Sequence, residues 1–263
     1  MVVWQWVQQH RLLAVLILAF VIVVSAGGTA WAFVFRTVSS PVGLREALRI
    51  YRREQTEKML QTLLNRLPPG VYSYRTTGGE SLSIPGMDRS FPPTSSMIVT
   101  GGNCATVSWV PLTQHTETTT ECAGPGDRFT VPRLVTHESI AGSDTTSTVH
   151  CPATAYLLPP GVTQGQKWDA TCAFQSPAEK IAFAGEALGR STMSIAGRAV
   201  TVEHTRITLT FDGSQAGTNP TDYWIVPSSG LIAQEKEAVA VTSGGVHYSE
   251  NMLSKLANLE PLH

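Results

Sequence analysis

The chain has 263 residues, room for one large domain or two small ones, with 19 basic and 20 acidic side chains and a formal net charge of -1. That balance excludes a chain-wide basic footprint for nucleic acid and an acidic, self-repelling tail. Charged residues make up only 15%, against roughly 25% in an ordinary soluble domain, and the mean hydropathy of +0.01 is raised by one end of the chain.

That end is the amino terminus. Leu12 to Phe35 carries no charge and lies between Arg11 and Arg36. As a helix rising about 1.5 Å per residue it would be about 36 Å long, enough to cross a hydrocarbon core of about 30 Å. Trp4, Trp6 and Trp31 fall near its ends, where amphipathic rings favour the interface. Residues 1–36 therefore read as one transmembrane signal anchor. A secretory signal peptide cleaved near Ala32, at Ala30-Trp31-Ala32, is the alternative. The anchor is preferred because Ala32-Phe33-Val34-Phe35 stays apolar where a signal peptide would turn polar. Arg36, Arg45, Arg49, Arg52 and Arg53 follow the span and by the positive-inside rule favour a cytoplasmic carboxyl-terminal part. The cysteines below argue the reverse, and long domains translocate largely regardless of charge. The expected location is the cell membrane, single-pass, with the carboxyl-terminal domain extracytoplasmic.

Residues 37–69 read as a polar connector, Thr37 to Gly43, and an amphipathic helix. Leu44, Leu48, Tyr51, Met59, Leu63 and Leu67 form one apolar stripe, ended by Pro68-Pro69-Gly70. Its charges read as a solvated face; contact with anionic headgroups is the second reading.

From residue 70 to 263 the period changes to two. Val71 to Arg75, Met97 to Thr100, Cys104 to Val110, Arg206 to Phe211, Tyr223 to Val226 and Leu231 to Val241 alternate. Gly- and Pro-rich breaks such as Gly78-Gly79, Gly101-Gly102, Asp212-Gly213 and Gly244-Gly245 separate them, the pattern of a mostly antiparallel β domain. Ala196-Gly197 predicts a tight hairpin turn. The stretch around residue 250 reads as a short closing helix with Met252, Leu253 and Leu256 inward. The fold class is mainly β (α+β), with a helix at each end of the sheet.

Cys104, Cys122, Cys151 and Cys172 all lie in this domain, with no CxxC pair and no His at zinc-finger spacing. Sequential pairing is expected because each pair brackets a plausible hairpin, and disulfides indicate an oxidising compartment. No metal and no cofactor is expected.

Catalytic motifs are missing. Gly213-Ser214-Gln215-Ala216-Gly217 places its Ser one position too early for a nucleophile elbow, and His137-Glu138 has no second His four residues on. Asp222-Tyr223-Trp224 and the Glu235/Glu237 pair are the nearest acid/base candidates; the latter share a strand face and read as a solvated edge. The large aromatics Tyr72, Tyr74, Trp109, Trp168, Tyr223 and Trp224 read first as core and second as the wall of an apolar groove.

The order of these features is suggestive. Gly70-Val71-Tyr72-Ser73-Tyr74-Arg75-Thr76-Thr77-Gly78-Gly79-Glu80, the cysteines, the Gly165 to Cys172 stretch and Thr221 to Ile232 resemble membrane-anchored or secreted envelope proteins of actinobacteria. The Asp-Tyr-Trp phrase at residues 222–224, leading to Pro227 and Gly230-Leu231, is similar to a hairpin of LolA/LppX-like half-barrel domains. The resemblance implies a curved antiparallel sheet with helices on its concave side, and the handling of lipid or another apolar ligand. No Cys follows the hydrophobic segment to take a lipid, unlike those carriers.

The expected role is binding, of a lipid or apolar envelope component or of an envelope protein partner, with the membrane as neighbour and without nucleic acid. The alternatives are a scaffold or assembly subunit lacking a pocket, and an envelope hydrolase with an unfamiliar site.

Overall fold

The computed structural model describes residues 39–58, 67–84, 88–101, 104–124, 128–140, 143–175 and 179–263. The expected anchor of residues 1–36, the cleavage site near Ala32 and part of the expected helix, residues 59–66, lie outside them. Among the described residues no helix is long and apolar enough to cross a membrane.

Among the described residues helix α1 (Leu44–Lys58) is followed by fourteen strands: β1 (Gly70–Leu82), β2 (Arg89–Ser90), β3 (Thr94–Thr100), β4 (Ala105–Leu112), β5 (His115–Gly124), β6 (Arg128–Ile140), β7 (Ser143–His150), β8 (Tyr156–Leu158), β9 (Lys167–Phe174), β10 (Lys180–Ile195), β11 (Arg198–Asp212), β12 (Gln215–Ile225), β13 (Ile232–Ser243) and β14 (Val246–Leu256). Neighbours along the sheet pair antiparallel, and β14 pairs back onto β1, from Tyr74 opposite Leu256 to Leu82 opposite Tyr248. Twelve strands thus form a closed barrel, which leaves no open sheet edge in the wall. β2 takes the place of β3 against the far end of β1, and β8 lies beside the start of β6.

Three expectations are corrected. The sheet is a closed barrel, not an open curved sheet or half-barrel. The segment expected as a carboxyl-terminal helix is β14, the strand that closes it. Met252 and Leu256 are buried as expected, but a spacing of four satisfies period two as well as period 3.6, and hydrogen-bonding partners on both sides select the strand. Finally, α1 lies on the outside rather than in a concavity. Ala47 and Tyr51 pack on Val71, Ile98 and Val110, the outward residues of β1, β3 and β4, while Leu44 is exposed.

Register is written on both faces of the wall. On the outside Lys236, Asp222, Arg206, Glu186 and Lys167 stand opposite one another across β13, β12, β11, β10 and β9, a row of alternating charge. Such cross-strand pairs stabilise this register and oppose a one-residue slip, which would turn the row inward. The outer face, with this row and with Thr116, Thr118 and Thr120 of β5, Thr146 and Thr148 of β7 and Thr208 and Thr210 of β11, is polar; a membrane barrel would carry an apolar band there.

Turn chemistry matches the strand ends. Ala196 and Gly197 have φ of 49° and 79°, the left-handed pair that joins β10 to β11 as a tight hairpin. Gly78-Gly79, which reads as a break in the sequence, lies within β1 instead. A Cβ on Gly78 would overlap the Asn251 carbonyl of β14, and one on Gly79 the Arg89 carbonyl of β2, so the glycines let both neighbours approach.

Disulfides join Cys104 to Cys122 and Cys151 to Cys172. The second lies at the seam between β7 and β9, where the ladder consists of Val149 opposite Phe174 and His150 opposite Ala173.

Candidate functional site

Side chains fill the smallest barrels, of about eight strands, whereas about sixteen leave an aqueous channel. Twelve strands fall between, and the interior holds a chamber of about 360 Å³. One end is closed by a hydrophobic cluster. There the β10–β11 hairpin brings Ile195 and Val202 onto Tyr72, Tyr74 and Leu256. Toward the other end the wall includes Gln215, Ser243 and Val246, next to the β11–β12 and β13–β14 turns.

The wall has two unlike arcs. From β6 to β11 it is mostly apolar: Leu134, Val149, Phe174, Phe183, Leu209 and Phe211 face in beside Thr136, Glu138, Thr145 and Ser147, with Phe174 stacked on Phe211 at 6.0 Å. On β5, β13 and β14 it is acidic, carrying Glu117 and Glu121, Glu235 and Glu237, and Glu250. Glu237 and Glu250 are 3% and 1% exposed, and each has one carboxyl oxygen, Oε2 and Oε1 respectively, with no hydrogen-bond partner. The other oxygen of Glu237 accepts from Asn219 Nδ2 at 2.6 Å.

Burial pushes these acids upward. Glu121 rises to about 7, while Glu235 and Glu250 each rise to about 8. Glu237 lies well above the ordinary carboxylate range through burial, then through the charge of Glu117 and Glu250. The charge of Glu117 on β5 raises Glu235, Glu237 and Glu250 alike, so acids from opposite parts of the wall converge on one space.

Beside this space lies a buried ion-pair network. Arg89 of β2 stands 2.5 Å from Glu80 Oε1 and donates to Glu138 Oε2 at 2.9 Å. His115 Nδ1 is 2.7 Å from both Glu80 Oε2 and Glu138 Oε1. Burial works to lower His115, but Glu117, Glu138 and Glu80 outweigh it and hold the ring protonated. Glu80 is opposed by burial too, yet His115, Arg89 and Tyr248 keep it ionised. The Tyr248 hydroxyl lies 2.9 Å from Glu80 Oε2 and 2.6 Å from Glu250 Oε2. Its one proton serves one carboxylate; a protonated Glu250 satisfies the second contact, in keeping with its raised pKa.

Glu80, His115 and Glu250 offer ligand atoms within 4.8 Å of one another, a possible metal triad by distance alone. The chemistry disfavours it. Arg89 and His115 already neutralise Glu80, and a divalent ion would face the guanidinium. The cluster is better read as an ion-pair network.

Of the six aromatics singled out in the sequence, Trp109 and Tyr223 line the chamber. Trp109 donates to Ser95 Oγ at 3.0 Å and meets Phe91 and His115 edge to face. Tyr72 and Tyr74 belong to the closed end, donating to Pro68 O at 2.9 Å and Ile232 O at 2.7 Å. Trp168 lies over Gly185 and donates to Tyr156 O at 2.9 Å. Trp224 stacks on His204 at 4.0 Å, apart from the chamber wall. They do not form one groove.

No family model matches the chain, and no curated protein matches it. Among solved structures it is similar to the hypothetical lipoprotein YmcC from Escherichia coli K12, at 13% identity and a TM-score of 0.36, over 78% of this chain and 97% of that one. It is also similar to a candidate lipoprotein from Parabacteroides distasonis, at 8% identity and a TM-score of 0.32, over 76% of this chain and 99% of that one.

The sequence singled out Glu235 and Glu237 but placed them on a solvated edge, and it did not point to Glu117, Glu121 or Glu250. Glu235 and Glu237 are not a solvated edge; they face the lumen, 8% and 3% exposed. A signal was present. They share their strand face with Val239 and Val241, whereas the opposite face carries Gln234 and Lys236. Asp222, on that outer face, is bound bidentately by Arg206 at 3.0 and 2.9 Å and is not an acid/base group of the chamber.

Proposed function

We propose that this chain is an extracytoplasmic binding protein of the cell envelope, tethered by its amino-terminal segment, whose barrel holds a small apolar or amphiphilic molecule. The observation that carries the reading is the chamber of about 360 Å³, walled on one arc by Leu134, Val149, Phe183 and Leu209. Its size falls within the roughly 300–1,000 Å³ usual for small-molecule sites. Two disulfides support an oxidising compartment. The uncharged run from Leu12 to Phe35 supports attachment to a membrane.

Native mass spectrometry of the purified full-length chain tests the reading. The expected result is a stoichiometric adduct with the mass of a lipid or other apolar metabolite. It should vanish in Leu209→Trp, which fills the chamber, while circular dichroism stays that of the wild type. A wild-type chain without adduct that also takes up no added amphiphile would overturn it.

A further inference from the structure

The apolar arc explains why an alkyl or ring system would enter the chamber; it does not explain the acids opposite. Burying carboxyl groups without partners is costly, and a chamber meant only for hydrocarbon would be more stable with apolar side chains there. Instead β5, β13 and β14 each contribute glutamates to one space. Two of these, Glu237 and Glu250, keep one oxygen each unpartnered while almost wholly buried. The nearby cations do not satisfy those atoms. Arg89 is engaged by Glu80 and Glu138, His115 Nδ1 by Glu80 and Glu138, and His115 Nε2 faces Glu117 Oε1 at 3.6 Å.

A ligand group that completes such a site must donate hydrogen bonds in several directions and carry positive charge. An ammonium has three donors and no acceptor, which matches converging carboxyl oxygens. A carboxylate or phosphate head would meet the charge of Glu117 and bring no donor to the unpartnered oxygens of Glu237 and Glu250. A hydroxyl head would leave most of the acidic arc unanswered.

We infer that the chamber selects a cationic amphiphile, its ammonium seated between Glu237 and Glu250 with Glu117 and Glu235 beside it, and its apolar body against Val149 and Leu209. The inference rests on the proposed binding role and names the ligand class. Because the empty site holds protons on its buried acids, seating the cation displaces protons to solvent. Charge then balances as one ammonium enters and one proton leaves. The groups facing that event are Glu117 and Glu121 of β5, Glu138 of β6, Tyr223 of β12, Glu235 and Glu237 of β13, and Tyr248 and Glu250 of β14. Glu80, His115 and Arg89 adjoin them.

The test is isothermal titration of the full-length chain with octylamine, octanol and octanoate near neutral pH, in two buffers of different ionisation enthalpy. Octylamine is expected to bind saturably and roughly tenfold or more tighter than the other two, a difference in keeping with charge-assisted hydrogen bonds. Its heat should report proton release, which octanol should not. In Glu237→Gln with Glu250→Gln, octylamine should fall to the affinity of octanol, with octanol unchanged. Should the doubly substituted chain fail to fold, the buffer dependence in the wild type decides. Equal binding of all three probes, or octylamine binding without proton release, would overturn the inference and leave an apolar chamber standing. Absence of binding by every probe would remove the chamber reading as well. Calcium or zinc chloride displacing octylamine one for one would replace the inference with a metal site.

Discussion

Arg89 Nε lies 2.5 Å from Glu80 Oε1, and the two side chains are 4% and 2% exposed. This pair joins the two-residue strand β2 to β1, and through Glu138 to β6, at the end of the wall where β3 no longer covers β1. Removing one partner leaves an uncompensated buried charge, which typically costs about 3–5 kcal/mol. Arg89→Met is therefore expected to destabilise the barrel by about that amount in urea unfolding. A loss below about 1 kcal/mol would mean the pair is solvated in solution.

Stability should fall as pH rises through neutrality. Glu121, Glu235 and Glu250 are held at about 7, 8 and 8 in the folded chain against an ordinary 4.5. Between those values the folded state binds more protons than the unfolded one, so stability declines with rising pH. His115, raised by its glutamates, acts in the same direction and is lost above its own folded value. Glu80 and Asp222 are lowered, so their contribution disappears only as pH falls through the acidic range. Thermal melts should show a maximum near about pH 5 and a decline toward about pH 8, of up to about 1.4 kcal/mol per pH unit for each group. Glu235→Gln with Glu250→Gln should flatten the slope. A melting temperature that climbs over the same interval would refute the buried, protonated state of these acids.

The Cys151–Cys172 bond closes a sequence separation of 21 residues across the short β7–β9 ladder. Replacing both cysteines by alanine is expected to cost about 3 kcal/mol on the chain-entropy account. Hydrogen exchange should rise first at Val149, His150, Ala173 and Phe174, where few ladder bonds remain. Uniform acceleration across the barrel would place the bond's effect in the unfolded chain alone.

Two tryptophans should separate cleanly. Trp109 is buried between Phe91 and His115 and bonded to Ser95, so Trp109→Ala should cost about 3–5 kcal/mol. Trp224 is half-buried against the His204 ring, and Trp224→Ala should cost only about 1 kcal/mol. Equilibrium denaturation compares them directly, and equal losses would contradict the different placements.

Much of the β wall could be read from local signals. The Ala196-Gly197 turn needs left-handed backbone at both residues, and the alternation of Ile207, Leu209 and Phe211 repeats with the pleat. Each cysteine pair spans a short separation, so its pairing follows from chain proximity. The outer charge row and the glutamate chamber depend on register between strands far apart in the chain, and no single segment contains that information.

The amino-acid sequence by itself determined the β class, the hairpin punctuation and the long uncharged run at the start, because each rests on interactions within a few residues. Only the tertiary structure decided that residues 246–256 form a strand and that the face bearing Glu235 and Glu237 is an interior. The reason is closure. When β14 meets β1 the sheet acquires an inside, and side chains that alternation alone could assign to either face become the wall of a chamber.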